Sequence, residues 1–281
     1  IFERFIGRFG KHAVAGSQCT YIQPYVYLSL YLVQMQAQGW DVDYDHIAVV
    51  SGASALLGYE ANAFRPKYAH LSVPRHADLD SGPDEACLVA SRGIDQRIAA
   101  ATGFCQAWSP FEGAEDAWQQ LKGIVDEGLL AKGHDWEGIL FGGYRDTTSK
   151  SDRWIYAMAD GPETYAKWIS WDDFTSWVTR VTDWNHAEFG YYNGRSPTAT
   201  PEEIATRVLK DLVVWSTHPP AQVTTAFPEA VWGLDGIEAY ATDCADVDHF
   251  PKWVACHGIN PQWTIRNATG IYLERIAKMG I

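Results

Sequence analysis

The stretch GILFGGYRDTTSKSDRWIYAMADG, residues 138–161, decides how this chain is read. It holds two runs rich in β-branched, aromatic and aliphatic residues, Gly138 to Asp146 and Arg153 to Gly161, separated by the polar sequence TTSKSD. Runs of this length, bounded by turn-forming residues, predict a β-hairpin with a six-residue connection over Thr147 to Asp152. The short apolar run Leu129 to Lys132 just before it adds a further strand-like piece.

Working back from the hairpin, helices dominate. Glu112 to Gly128 carries Ala117, Leu121, Ile124 and Val125 at helical spacing and ends on glycine. Glu85 to Gly103 does the same with Ala86, Val89, Ala90, Ile94 and Ile98, and Phe104 to Phe111 suits a short strand between the two. His46 to Ser51 reads as a short helix capped by Asp45. Residues 1–16 read as loop or partial helix. Near the start, AGSQCTYIQPYVYLSLYL, residues 15–32, predicts a helix from about Thr20 to Gln38, stopping at Gly39. Tyr21, Tyr25, Leu28, Leu32 and Met35 give it a broad apolar face. Pro24 is tolerated only in a first turn, so Cys19 sits at or just before the helix N-terminus. There the helix dipole favours thiolate over thiol.

Downstream of Pro162 the composition turns helical. Glu163 to Arg180, Pro201 to Trp215, Gly233 to Cys244 and Pro261 to Met279 read as helices, with NHAEFGYYNGRSPTAT as a connecting loop. Thr200-Pro201-Glu202-Glu203 is a complete helix start. The expected fold is α+β: residues 1–162 form a core with the Cys19 helix and the hairpin, and 163–281 form a mainly helical region packed on it.

Composition excludes several classes. A net charge of −13 with no basic run argues against nucleic-acid binding and suits a cationic substrate. No apolar stretch nears the roughly 20 residues needed to cross a bilayer, so no membrane role is expected. IFERFIGRFGKHAVAG is too charged for a signal-peptide core, which points to the cytoplasm. Cys19, Cys87, Cys105, Cys244 and Cys256 include no CxxC pair and their number is odd, so neither a zinc site nor a disulfide framework is expected. No cofactor or metal is anticipated.

A helix-borne cysteine near the start, further helices and a late hairpin ending in Asp resemble the papain-like cysteine enzymes. The narrower resemblance is to peptidase C39-like proteins of the BtrH N-terminal type, carried by the Cys19 helix, DYDHIAVVSGASALLGYE, GILFGGYRD and the strand ending in MADG. GLDGIEAYATDC and RNATGIYLERIAKMG are similar to the helices that follow such domains.

The resemblance implies acyl chemistry: Cys19 attacks an amide, ester or thioester carbonyl, a base takes its proton, and Asp160 orients that base. This sequence departs from the pattern where the family's His begins the hairpin. Glu137 or Trp136 stands there, and His134 lies three residues before Glu137. Three readings stay open. His134 is the base, or Glu137 replaces it, or the site only binds a ligand. A carboxylate in an apolar setting can act as a base, yet beside Cys19 it would raise the thiol pKa. Gln18, Gln23, Tyr21, Trp136 and Tyr144 are the candidate substrate-binding residues, the glutamines as oxyanion donors. The expected function is acyl transfer or amide hydrolysis on a small amine or amide. The expected partners are that small molecule, an acyl-carrier protein, and a second copy across the carboxy-terminal helices, which form either a lid or a homo-oligomer surface.

Overall fold

A computed structural model of the chain describes residues 2–5, 26–52, 58–60, 65–67, 85–133, 138–159, 167–219, 221, 224, 228–245 and 267–281. Its elements in chain order are β1 (Phe2–Phe5), α1 (Val26–Ala37), α2 (Tyr44–Val50), β2 (Gly58–Glu60), β3 (Arg65–Lys67), α3 (Glu85–Thr102) and β4 (Phe104–Pro110). They continue with α4 (Ala114–Asp126), β5 (Ala131–Gly133), β6 (Ile139–Asp146), β7 (Trp154–Ala159), β8 (Lys167–Ser170), α5 (Trp171–Asp183) and β9 (Glu188–Arg195). Last come α6 (Pro201–Trp215), β10 (Val231–Trp232), α7 (Gly233–Ala245) and α8, residues 267–278. This is a mixed α+β architecture with antiparallel pairing throughout the described sheets.

The predicted hairpin is present as β6 and β7, which pair from Ile139↔Ala159 to Arg145↔Trp154. It lies inside a seven-stranded sheet of order β4-β9-β5-β6-β7-β8, with β1 paired to the Gly143–Asp146 half of β6. A bulge between Phe141 and Gly143 shifts the register. Ile139 and Phe141 face one side before it and Tyr144 faces the same side after it, because the extra residue at Gly142 resets the alternation. A smaller sheet, β10-β2-β3, stands apart.

The large sheet is covered on both faces. Ala131, Ile139, Phe141, Tyr144, Ile155, Ala157 and Phe189 pack with Trp118 and Leu121 of α4 and Phe174, Trp177 and Val181 of α5. The intervening residues Leu130, Leu140 and Met158 point to the other face and meet Leu30 and Val33 of α1. The opposite side of α1, with Leu28, Tyr31, Leu32 and Met35, packs on α2, α3 and Phe104 of β4. A helix that is apolar nearly all round belongs in the interior, and α1 is enclosed between the sheet and α2–α3.

Several sequence expectations need correction. Residues 2–5 form a strand, not part of a loop or helical lead. The helix after Pro162 begins only at Trp171. Ser170 caps it, accepting from the Asp173 backbone N–H while the Asp173 carboxylate takes the Ser170 N–H, and Lys167–Ser170 before it is strand β8. NHAEFGYYNGR is no connecting loop: Glu188–Arg195 is β9, lodged between β4 and β5. The sheet therefore runs across the 162/163 division, and the helical portion begins at Pro201. There the Thr200–Glu203 capping box forms as the sequence predicts. The cap of α2 is Asp43, whose carboxylate accepts from His46 N at 2.9 Å, rather than Asp45.

Candidate functional site

The α1-facing side of the sheet holds an unusual set of buried polar groups. Gln34, in the third turn of α1, is 2% exposed. Its Nε2 donates to Leu130 O at 2.9 Å and to Gly190 O at 3.1 Å, so one amide ties the helix to the approach to β5 and to β9. Its Oε1 accepts from Nε2 of Gln106 on β4. Lys132 on β5 follows Leu130 by two residues, so it points to the same face. It is 1% exposed, and its ammonium lies 4.5 Å from the centre of the Tyr31 ring and 4.9 Å from that of Trp108. Two ring faces at these distances stabilise a desolvated cation by about 2 kcal/mol or more. Trp108 is fixed in turn, donating from Nε1 to Asp95 Oδ2 at 3.0 Å. Gly190 opposite supplies the room: a Cβ there would lie 2.9 Å from three atoms of the Trp108 ring.

This arrangement sits near one end of the sheet. Gly133, Ile139 and Ala159 pair laterally on β5, β6 and β7, forming one row across three strands. The contacts of α1 run along the sheet toward that row. Gln38 reaches Gly128 O, Gln34 reaches Leu130 O, and Leu30 lies against Gly138, where a Cβ would come within 2.7 Å of Leu30 Cδ1. The N-terminal end of α1 is thus directed at the row Gly133–Ile139–Ala159. His134 follows Gly133 in sequence, Glu137 precedes Gly138, and Asp160 follows Ala159. Tyr156 packs against the cluster that holds Leu30, Val33, Leu140 and Met158, and burial pushes its phenol above the ordinary tyrosine range.

Of the candidate residues read from sequence, Cys19, Gln18, Tyr21, Gln23, His134, Trp136, Glu137 and Asp160 lie outside the described residues. Tyr144 is described, and its reading as a substrate contact is corrected. It is 1% exposed on the sheet face away from α1, packed edge-on to Trp118, and its hydroxyl donates to Asp126 Oδ1 at 2.7 Å. Sequence reasoning missed Gln34, Gln106, Trp108 and Lys132. The one available signal was a lysine inside the apolar run LLAKG, a place where a charged residue needs a reason. Among the described residues no group of three or more His, Cys, Asp or Glu is placed to hold a metal ion, and no helix is long and apolar enough to cross a membrane.

These features define an α+β protein with a helix enclosed against one face of an antiparallel sheet and a polar, lysine-containing interior beneath it. No family profile, no curated protein and no solved structure matches the chain.

Proposed function

We propose that the chain is a cysteine-dependent acyltransferase or amide hydrolase of the papain-like, C39-like kind, acting on a small amine or amide in the cytoplasm. Cys19 is the nucleophile, His134 or Glu137 takes its proton, and Asp160 orients that base. The observation that supports this reading is the direction of α1. Its N-terminal end is aimed at the lateral row Gly133–Ile139–Ala159, beside which the sequence carries His134, Glu137 and Asp160. A nucleophile delivered by a helix start, a base at a strand entry and an acid at the neighbouring strand exit is the arrangement Cys–His–Asx chemistry requires. The rings of Tyr31 and Trp108 are occupied by the protein's own cation, so they do not serve a cationic ligand. With an acyl-carrier thioester as donor the reaction is transfer; with water as acceptor it is hydrolysis.

The test combines thiol labelling with turnover. Wild-type protein should be alkylated at Cys19 well below the ordinary thiol pKa of about 8.5 and should cleave or transfer an activated acyl thioester. Cys19→Ser should lose both, and His134→Ala set against Glu137→Gln identifies the base by which variant abolishes the pH dependence of labelling. Full turnover in Cys19→Ser would sink the nucleophile assignment. A Cys19 that stays inert until well above pH 8.5 would replace catalysis by ligand binding through Glu137 and the aromatic residues.

A further inference from the structure

A second cluster lies away from that face, where α3, α6 and α8 meet. On α6 the residues Arg207, Asp211 and Trp215 recur every fourth position and so share one stripe. Arg97 of α3 crosses this stripe. Its Nη1 pairs with Asp211 Oδ2 at 2.6 Å, and its guanidinium stacks 3.9 Å above the centre of the Trp215 ring. Gly52 closes the far side, since a Cβ there would lie 2.8 Å from Trp215 Cζ3 and 3.2 Å from Arg97 Nη1. Arg97 thereby uses the Asp211 carboxylate, while Glu203, one turn before Arg207, is taken up by the capping box with Thr200.

Arg207, one turn before Asp211, is left differently. Its Nε and Nη2 are both buried and have no hydrogen-bond acceptor among the described residues. These two N–H groups are the parallel pair along one edge of the guanidinium, the edge that grips two oxygens of a carboxylate or phosphate at once. Arg97, Arg207 and Lys210 all act electrostatically on Asp211, a local excess of cations in a chain whose overall charge is −13. Tyr272 of α8, 5% exposed, packs in one cluster with Ile204 and Val208 of α6, on either side of Arg207 in sequence. An arginine edge buried without an acceptor among the described residues is electrostatically incomplete there, because a desolvated charged donor is among the most costly groups to leave unsatisfied.

We propose that the Arg207 edge, with Arg97 beside it, is a binding site for a small oxyanion, a phosphate or carboxylate group. The anion takes two parallel hydrogen bonds from Nε and Nη2, the acceptor oxygens for Arg207 that Asp211 gives to Arg97. The site does not depend on the acyl chemistry proposed above.

Thermal unfolding of the full chain, titrated with inorganic phosphate or acetate at constant ionic strength balanced with sodium chloride, tests it. Wild-type protein should gain stability saturably with at least one of the two anions. Arg207→Gln should lose that gain. Arg207→Lys keeps the charge but not the fork, so it should need about tenfold more anion, the loss that removing one charge-assisted hydrogen bond carries. Asp211→Asn removes the competing carboxylate and should need severalfold less. If Arg207→Gln does not fold, the opposite shifts of the other two variants carry the decision. A wild-type protein that responds to neither anion beyond chloride, or an Arg207→Gln or Arg207→Lys protein that responds as wild type does, overturns the site.

Discussion

Replacing Gln34 by Leu is the most direct probe of how α1 is held against the sheet. The two residues have similar volume and helix propensity, so the backbone is not the variable. The change removes two buried hydrogen bonds, to Leu130 O and Gly190 O, and leaves Gln106 Nε2 without its acceptor. At about 1 kcal/mol for each lost bond and about 1–3 kcal/mol for the stranded buried amide, partly offset by the apolar side chain, the expected loss is about 3 kcal/mol. For a chain of this size that lowers Tm by about 5 °C. Gln106→Leu alone should also destabilise, since it strands the Gln34 carbonyl. The double variant should be less destabilised than the sum of the singles by about 1–2 kcal/mol, because neither half of the broken pair then remains buried. Urea unfolding of the four proteins gives the cycle. A Gln34→Leu loss below about 0.5 kcal/mol, or strict additivity in the double variant, would refute the claim that this amide docks the helix.

Two further outcomes follow from particular contacts. At Gly133, a Cβ would fall 2.5 Å from Trp177 Cζ2 and 3.1 Å from Ile139 Cγ2, so Gly133→Ala should cost about 1–3 kcal/mol by overpacking and alter Trp177 fluorescence; an unchanged spectrum with unchanged stability contradicts the packing described. The Glu115 carboxyl is held down to about 2 by hydrogen bonds from Arg153 and then Lys150. A lowered carboxyl pKa stabilises the fold above its unfolded value, near 4.5, and that stabilisation is lost as the pH falls toward 2. Because Glu115 is nearly half exposed, the effect is at most about 1 kcal/mol. Glu115→Gln should therefore show a shallower loss of stability between pH 5 and pH 2 than wild type, and equal slopes in urea titrations across that range would count against the bridge.

What the sequence made legible was local. The hairpin declared itself because both strands carry apolar residues on both faces and a polar six-residue connection parts them. The helix at Pro201 declared itself because its cap chemistry is complete within four residues. β9 was hidden by its own function in the packing. Gly190 and Gly194 make NHAEFGYYNGR look like a loop, yet Gly190 is there because Trp108 from β4 fills the space a side chain would take. β8 was hidden because KWIS runs directly into a helix, and only the Ser170–Asp173 capping box marks where strand ends and helix begins. Cys19, His134, Glu137 and Asp160 were singled out from the sequence and lie outside the described residues. The buried polar set beneath α1 was not legible. Lys132, Gln34 and Trp108 come from positions far apart in the chain, and only the closed sheet brings their side chains beneath α1.

The place of β9 also governs when this protein can fold during synthesis. β4 ends at Pro110 and β5 at Gly133, but the strand that joins them spans Glu188–Arg195. Until that strand leaves the ribosome, β4 has no strand partner in the sheet and β5 has one edge open. At about 5–20 residues per second this interval, from Gly133 to Arg195, lasts about 3–12 seconds. The β5–β8 portion can pair in the meantime, since its strands follow one another in sequence. β4, with Phe104 and Trp108, waits as an exposed apolar edge of the kind that recruits other chains. A nascent chain halted before residue 188 is therefore expected to aggregate more readily than one halted after Arg195.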